Sequence, residues 1–252
     1  MKTIILAGGE GTRLGDVSKS IPKPLIPIGD MPIIQHIINH YITYQHKEFY
    51  ICVGYLSSMF HDYFHSISMK EEIVSSTIVK YFLADSTIWV FETGIGTGTF
   101  GRMCQIFPYI NANACFLTYG DGLSNVDLNA LLQTHKQSHC LVTLSAVHPP
   151  ERFGRVIIGK NSYVSSFSEK GIDHNSWING GYMVIETQIA QVYSKHFDSF
   201  ERDVLPDLAQ KNLLRAYQHT GFWQCMDTQS EMTYLNQLVN QGRSPWLNRE
   251  EC

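Results

Sequence analysis

The chain alternates between two hydrophobic periods, and that alternation limits its fold more than any other feature. Thr3–Ala7 is a short apolar, β-branched run that stops at Gly8-Gly9. Between Pro32 and Gln45 the residues Ile33, Ile34, Ile37, Ile38 and Tyr41 recur at helical spacing, with Pro32 suited to a first turn. Phe49–Tyr55 reads as a strand, Ser57–His65 as a helix with Ser57 at its N-cap, and Thr77–Leu83 as a strand. Gly101–Tyr109 reads as a helix, and Cys115–Tyr119 as a strand that ends at Gly120-Asp121-Gly122. Asp127–Gln137 is a helix capped by Asp127, followed by the strand Leu141–Val147. Strands separated by helix-length segments form βαβ units, and hence a mostly parallel sheet with helices on both faces.

After Pro149-Pro150 the pattern is richer in β-structure. Val156–Ile158, Val164–Phe167, Gly181–Ile185 and part of Leu214–His219 read as strands, with helices at Glu201–Gln210 and Gln229–Gln241. The expected fold is therefore α/β: a Rossmann-like mixed, mostly parallel sheet flanked by helices, with a small β-rich extension. Residues 1–252 are expected to form a single domain, about 1–150 as one half and about 151–252 as an extension on the same sheet. In such sheets ligands bind beyond the carboxyl ends of the strands. The segments after Ala7 and after Tyr119, the two richest in chemical groups, both fall at strand ends of that kind.

Composition narrows the partners. At 44% hydrophobic and 17% charged residues the chain suits a compact globular protein. A formal net charge of −4 leaves no global basic field for nucleic acid or anionic lipid, so any polyanion must be held by local charges, backbone N–H groups or a metal. The six cysteines are scattered without a Cys-x-x-Cys pair, which favours free thiols over disulfides or zinc. Met1-Lys2-Thr3-Ile4-Ile5-Leu6 is too short an apolar run for a signal peptide, and no stretch has the length of a membrane span, so the expectation is a cytoplasmic protein with no membrane partner. Among the eleven histidines, His36/His40 and His61/His65 fall four apart on helices, but with no third ligand in view packing or solvation is the better account.

The first motif is Leu6-Ala7-Gly8-Gly9-Glu10-Gly11-Thr12-Arg13-Leu14, with Lys23-Pro24 ten residues beyond Arg13. Glycines directly after a strand let backbone N–H groups approach a triphosphate with no Cβ in the way. Arg13 offers a fork and Lys23 a point charge to phosphates. The spacing matches neither the dinucleotide glycine fingerprint nor the P-loop, which counts against a dinucleotide-dependent redox enzyme. A glycine pair alone marks only a turn; the whole motif is far more specific. The second motif, Leu117-Thr118-Tyr119-Gly120-Asp121-Gly122, puts a carboxylate at a strand end, where it suits Mg²⁺ or merely forms a turn. The third, Gly221-Phe222-Trp223-Gln224-Cys225-Met226-Asp227-Thr228, offers a second carboxylate. By itself Asp227 would be the N-cap of the last helix; paired with Asp121 it becomes a metal-ligand candidate. The aromatic pair Phe222-Trp223 suits either stacking on a ligand or the core. The fourth is Phe167-Ser168-Glu169-Lys170 with Asn179-Gly180-Gly181, in which Lys170 suits a phosphate and Glu169 and Asn179 suit hydroxyls, unless Glu169-Lys170 is a solvated pair.

These motifs resemble the signature of the sugar-phosphate nucleotidylyltransferases, which have a GT-A-like fold. The resemblance implies that Leu6, Ala7, Gly8, Gly9, Gly11, Thr12, Arg13, Lys23, Tyr119 and Gly120 surround the nucleotide. It also implies that Arg13 and Lys23 activate the triphosphate, that Asp121 and Asp227 bind a catalytic Mg²⁺, and that Glu169, Lys170, Asn179 and Gly180 hold the acceptor. Thr118–Gly122, Pro150-Glu151-Arg152-Phe153-Gly154, Gly221–Gln224 and Gly242-Arg243-Ser244-Pro245-Trp246 are similar to the glucose-1-phosphate cytidylyltransferase branch, over nearly the whole chain. That branch implies CTP, a contact of Arg102 with the triphosphate, assembly as a homo-oligomer, and a role in surface-polysaccharide precursor synthesis.

Two departures stand out. Gly171 follows Lys170 where the family has Pro, and the segment between Tyr63 and Gly101 is shorter than in the glucose enzyme. The implied acceptor is thus glucose 1-phosphate, with another sugar phosphate or a polyol phosphate such as glycerol phosphate as the alternative. A regulatory protein that holds a nucleotide sugar without turnover is a further alternative; such a chain should lack Arg13, Lys23 or an aspartate, and this one keeps them all. The expected chemistry is in-line attack of an acceptor phosphate on the α-phosphorus of CTP, which demands positioning and charge neutralisation more than a general base.

Overall fold

The computed structural model describes residues 1–11, 14–15, 17–150, 153–169, 171, 176–193 and 197–247. Its first half runs β1 (Lys2–Leu6), α1 (Val17–Ser20), β2 (Pro27–Ile28), β3 (Met31–Pro32), α2 (Ile33–Thr43), β4 (Glu48–Val53), α3 (Ser57–Ile67), β5 (Lys70–Ser75), β6 (Ile78–Phe82), β7 (Thr87–Glu92), α4 (Thr99–Ile106), β8 (Ala114–Tyr119), β9 (Gly122–Ser124), α5 (Leu128–Lys136) and β10 (Val142–Val147). The second half continues with β11 (Arg155–Ile158), β12 (Val164–Ser168), β13 (Ile178–Glu186), α6 (Ile189–Val192), α7 (Leu205–Gln210), β14 (Leu214–Gln218), β15 (Trp223–Cys225) and α8 (Gln229–Asn240).

Nine strands form one sheet in the order β14-β10-β13-β8-β1-β4-β7-β6-β5. β1 pairs in parallel with both β4 and β8, and only β13 and β6 run against the other strands. The sheet is thus mixed and mostly parallel, as the alternation of periods predicts. β13 is inserted antiparallel between β8 and β10, so the later part of the chain contributes to the same sheet as the first. Among the described residues β11 and β12 pair only with each other, as an exposed ribbon.

Because a central parallel strand is covered on both faces, its residues are apolar without a break. Ile5, Phe49, Ile51, Val53 and Phe116 pack on one side with Ile33, Ile37 and Tyr41 of α2 and Phe60 and Phe64 of α3. Ile4, Leu6, Tyr50, Cys52 and Leu117 pack on the other with Phe100, Met103 and Ile106 of α4 and Leu208 of α7. Each such side chain contributes about 1.5–3 kcal/mol of apolar transfer. Cys52 and Cys115 are buried free thiols within these layers.

Several local expectations are corrected. Ser57 does not cap α3: the N-cap is Leu56, held left-handed at φ 50, and no side chain bonds the first turn. The strand Thr87–Glu92 and the edge strand Lys70–Ser75 are additions to the predicted set. The predicted helix from Glu201 divides into a π-helical turn, Phe200–Val204, and α7. Asp127 does cap α5, accepting from the N–H groups of Asn129 and Ala130.

His40 lies inside α2, where it is bonded to the Val126 carbonyl at 3.0 Å. Burial pushes its pKa down to about 4, against the pull of that carbonyl. The unfolded chain therefore takes up this proton near pH 6.5 and the folded chain only near pH 4. The contribution is complete above pH 6.5 and is lost as pH falls towards 4, on the order of 3 kcal/mol. Urea midpoints should fall across that window, and His40→Gln should shallow the decline; an equally steep decline in the variant would contradict the assignment.

Candidate active site

The carboxyl ends of β1 and β8 lie side by side at the middle of the sheet, since Leu6 pairs with Tyr119 and the Gly120 N–H donates to the Leu6 carbonyl at 3.0 Å. Both segments turn away there and leave a cavity of about 800 Å³. Its walls are the glycine loop, the Tyr119–Gly122 turn, the start of β13, the start of α4 and the end of β15. Gly8 is required by close approach: a Cβ there would run into the Arg102 guanidinium.

Arg102, buried on α4, braces that loop. Its terminal N–H groups donate to the carbonyls of Val53 at 3.0 Å, Gly8 at 3.1 Å and Ile95 at 3.3 Å, and to the Thr93 hydroxyl. The terminal nitrogens are thus engaged with protein acceptors, and through Gly8 they fix the path of the loop backbone.

Lys23 sits on the 3₁₀ turn Lys23–Leu25, with its side chain 10% exposed. Its ammonium lies 2.6 Å from Asp121 Oδ2 and is also bonded to Asp227 Oδ1. Asp227 comes from far along the chain. The short β9–β15 ladder sets Cys225 opposite Gly122, and the Met226 N–H donates to the Asp121 carbonyl at 2.9 Å. The cap of α8 is Thr228, in a reciprocal capping box with Glu231, so the Asp227 carboxylate turns to Lys23 instead of the helix amides. Burial works against the charge on Lys23, but the two aspartates outweigh it and hold its pKa above the ordinary lysine value.

Two carboxylates bonded to one ammonium place their oxygens around a single cation-sized point. Among the described residues no group of three or more His, Cys, Asp or Glu could hold a metal. A pair of carboxylates completed by phosphate oxygens and water is the donor set of a hard divalent cation that arrives with a nucleotide. The residues present fit such a cation, which Asp121 and Asp227 would hold.

Of the residues singled out in the sequence, Leu6, Ala7, Gly8, Gly9, Gly11, Lys23, Arg102, Tyr119, Gly120, Asp121, Asn179, Gly180 and Asp227 line this one cavity. Glu169 is exposed beyond the end of β12, on the separate ribbon, and is not among the lining residues. Thr12, Arg13 and Lys170 lie outside the described residues. Trp223 also lines the cavity, donating from Nε1 to the Gly180 carbonyl at 2.7 Å, whereas Phe222 packs against the core. Sequence reasoning missed Thr99, Gly181, Cys225 and Glu201 as lining residues. Burial pushes the Cys225 thiol up to about 12, with nearby carboxylates acting in the same direction.

Residues 2–237 match the family described as nucleotidyl transferase. The chain belongs to that family. The glucose-1-phosphate cytidylyltransferase of Salmonella typhimurium (strain LT2) is 34% identical over 263 residues, spanning 99% of this chain and 100% of that protein. The D-glycero-alpha-D-manno-heptose 1-phosphate guanylyltransferase of Campylobacter jejuni is 30% identical over 75% of this chain and 77% of its own length. The fold is shared with the crystal structure of HddC from Yersinia pseudotuberculosis, with a TM-score of 0.68, 22% identity, and coverage of 94% of this chain and 99% of that one. As a nucleotidyl transferase the chain is an enzyme that joins a nucleotidyl group to an acceptor.

The Lys23 ammonium offsets two facing carboxylates. Lys23→Gln should lower stability by about 1–3 kcal/mol, less than for a fully buried pair because the Asp121 side chain is 31% exposed. Adding millimolar Mg²⁺ should restore much of the loss, since the cation takes up the vacated role. A thermal midpoint insensitive to both the substitution and the cation would contradict this electrostatic account.

Proposed function

We propose that this nucleotidyl transferase moves the cytidylyl group of CTP onto α-D-glucose 1-phosphate, giving CDP-glucose and pyrophosphate. The observation that carries this reading is the full-length likeness to a glucose-1-phosphate cytidylyltransferase, in a chain whose cavity brings together Lys23, Asp121 and Asp227. A phosphate oxygen of the acceptor attacks the α-phosphorus; the bond from that phosphorus to the bridging oxygen breaks, and pyrophosphate leaves on the opposite side. The nucleophile is already anionic near neutral pH, so the enzyme's task is to hold two anions in line.

In this reading the backbone of Ala7–Gly11 lies along the nucleotide, with Arg13 and Lys23 on its phosphates. Asp121 and Asp227 would hold Mg²⁺, which when bound would supply charge neutralisation at the reacting phosphates. Lys23 then exchanges its carboxylate partners for phosphate oxygens. Asn179 and Gly180, which line the cavity, would bond the acceptor's hydroxyls, and Lys170 and Glu169 are assigned to the acceptor phosphate and hydroxyls by the family resemblance alone. Residues 1–150 serve the nucleotide and 151–252 mainly the acceptor. No helix among the described residues is long and apolar enough to cross a membrane. We further propose a cytoplasmic homo-oligomer that supplies a precursor for surface polysaccharide.

Pyrophosphate release with Mg²⁺ should be measured for CTP, UTP, dTTP, ATP and GTP against a panel of sugar and polyol phosphates. CTP with glucose 1-phosphate should exceed every other pair by at least tenfold, about 1.4 kcal/mol in transition-state binding. Turnover confined to another nucleotide or acceptor would overturn the assignment of that substrate.

A further inference from the structure

Glu201 lines the cavity from the π-helical turn Phe200–Val204, a rare element that concentrates at functional sites. Its carboxylate is half-buried and has no cationic partner among the described residues. Instead Oε1 accepts from the Tyr119 hydroxyl at 2.6 Å, and Oε2 accepts from the Thr99 hydroxyl at 2.6 Å and from Ser199 at 3.4 Å. The shorter two have the length of hydroxyl–carboxylate bonds. Burial and the neighbouring Glu201 charge both hold the Tyr119 pKa above the ordinary tyrosine value, so the phenol stays a donor.

That arrangement fixes a direction of hydrogen bonding. A phenol has one proton, and here it is committed to Glu201, so the Tyr119 oxygen can only accept from other groups. Asn179 Nδ2 donates to it at 3.5 Å, while Asn179 Oδ1 accepts from the Gly181 N–H at 2.9 Å. Both ends of the Asn179 amide are thereby assigned, and its second Nδ2 proton remains for a ligand oxygen. Gly181, at φ 83, lets the Tyr119 ring close against β13: a Cβ there would come within 2.8 Å of the ring. The ring and the amide form one wall, and a carboxylate behind them sets its polarity.

We propose that Glu201 is a positioning residue for the sugar 1-phosphate: by taking the Tyr119 proton it orients Asn179 as a hydrogen-bond donor to an acceptor oxygen. This rests on the proposed reaction, in which the acceptor lies against the start of β13. Glu201→Ala frees the phenol proton to turn towards Asn179, which weakens the Nδ2 bond to Tyr119 and leaves the Gly181 N–H alone to hold the amide's direction. Glu201→Gln keeps an oxygen facing Tyr119 and an amide that can bond Thr99.

Steady-state kinetics of the full chain test the proposal, varying glucose 1-phosphate at saturating CTP and the reverse. Glu201→Ala should raise the KM for glucose 1-phosphate about tenfold, the loss of roughly one hydrogen bond, and leave the KM for CTP within about twofold. Tyr119→Phe should do the same, the double variant should be no worse than either single one, and Glu201→Gln should recover most of the loss. A defect confined to CTP, additive effects of the two substitutions, or wild-type kinetics in Glu201→Ala would each overturn the proposal. A wild type silent with CTP and glucose 1-phosphate would sink the proposed reaction instead. The role of Glu201 is then read from thermal shifts with sugar 1-phosphates, which the wild type should show and Glu201→Ala should lose. Equal shifts in both proteins, or no shift in the wild type, would overturn it.

Discussion

The parallel pairing of β1 with β8 is the constraint on which the rest of the structure depends. It sets the end of one strand, Leu6, beside the end of another, Tyr119, and so brings two loops from distant parts of the chain to one edge of the sheet. A one-residue slip would send the apolar side chains of the strand to the opposite face, and the packed layers on both faces exclude that. The register that buries the core therefore also aims the glycine loop and Asp121 at the same cavity. The same layers seat α4, whose Arg102 holds the loop from beneath through the Gly8 carbonyl.

Onto this frame the chain adds a concentration of charge in a partly dry place. Lys23, Asp121 and Asp227 form a compact cluster in which the ammonium makes the two facing carboxylates tolerable. In the proposed reaction such a cluster would exchange partners, the ammonium gaining phosphate oxygens while the carboxylates hold the cation that would neutralise them. Nucleotidyl transfer makes that demand, since two anionic reactants must meet. Across the same cavity neutral polar groups are joined in series to one carboxylate, Asn179 donating to the Tyr119 oxygen and Tyr119 to Glu201.

Sequence pattern disclosed the fold class and, of the cavity, the lining residues that follow the strand ends. Gly8-Gly9 after a buried strand, Lys23-Pro24, and Asp121 at the next strand end are short-range signals, each with a mechanical reason to be where it is. Asp227 was legible only as a candidate, because its approach to Asp121 depends on the β9–β15 ladder between segments about a hundred residues apart in sequence. Glu201 was not legible at all: on a helical pattern it reads as a solvated face, and only the π-helical turn carries it into the cavity. The strand Lys70–Ser75 is exposed along its whole length, so no apolar period marks it. The capping expectation at Ser57 failed because Leu56 takes up the turn in a left-handed conformation.

The most direct test of this account is the binding of Mn²⁺, followed by electron paramagnetic resonance in the presence of CTP, in the wild type and in Asp121→Asn and Asp227→Asn. The account predicts an enzyme-bound Mn²⁺ signal in the wild type. It predicts an affinity at least tenfold weaker in each variant, with turnover lower by two or more orders of magnitude and the fold retained. Variants that bind Mn²⁺ with CTP as the wild type does, and turn over at its rate, would contradict it.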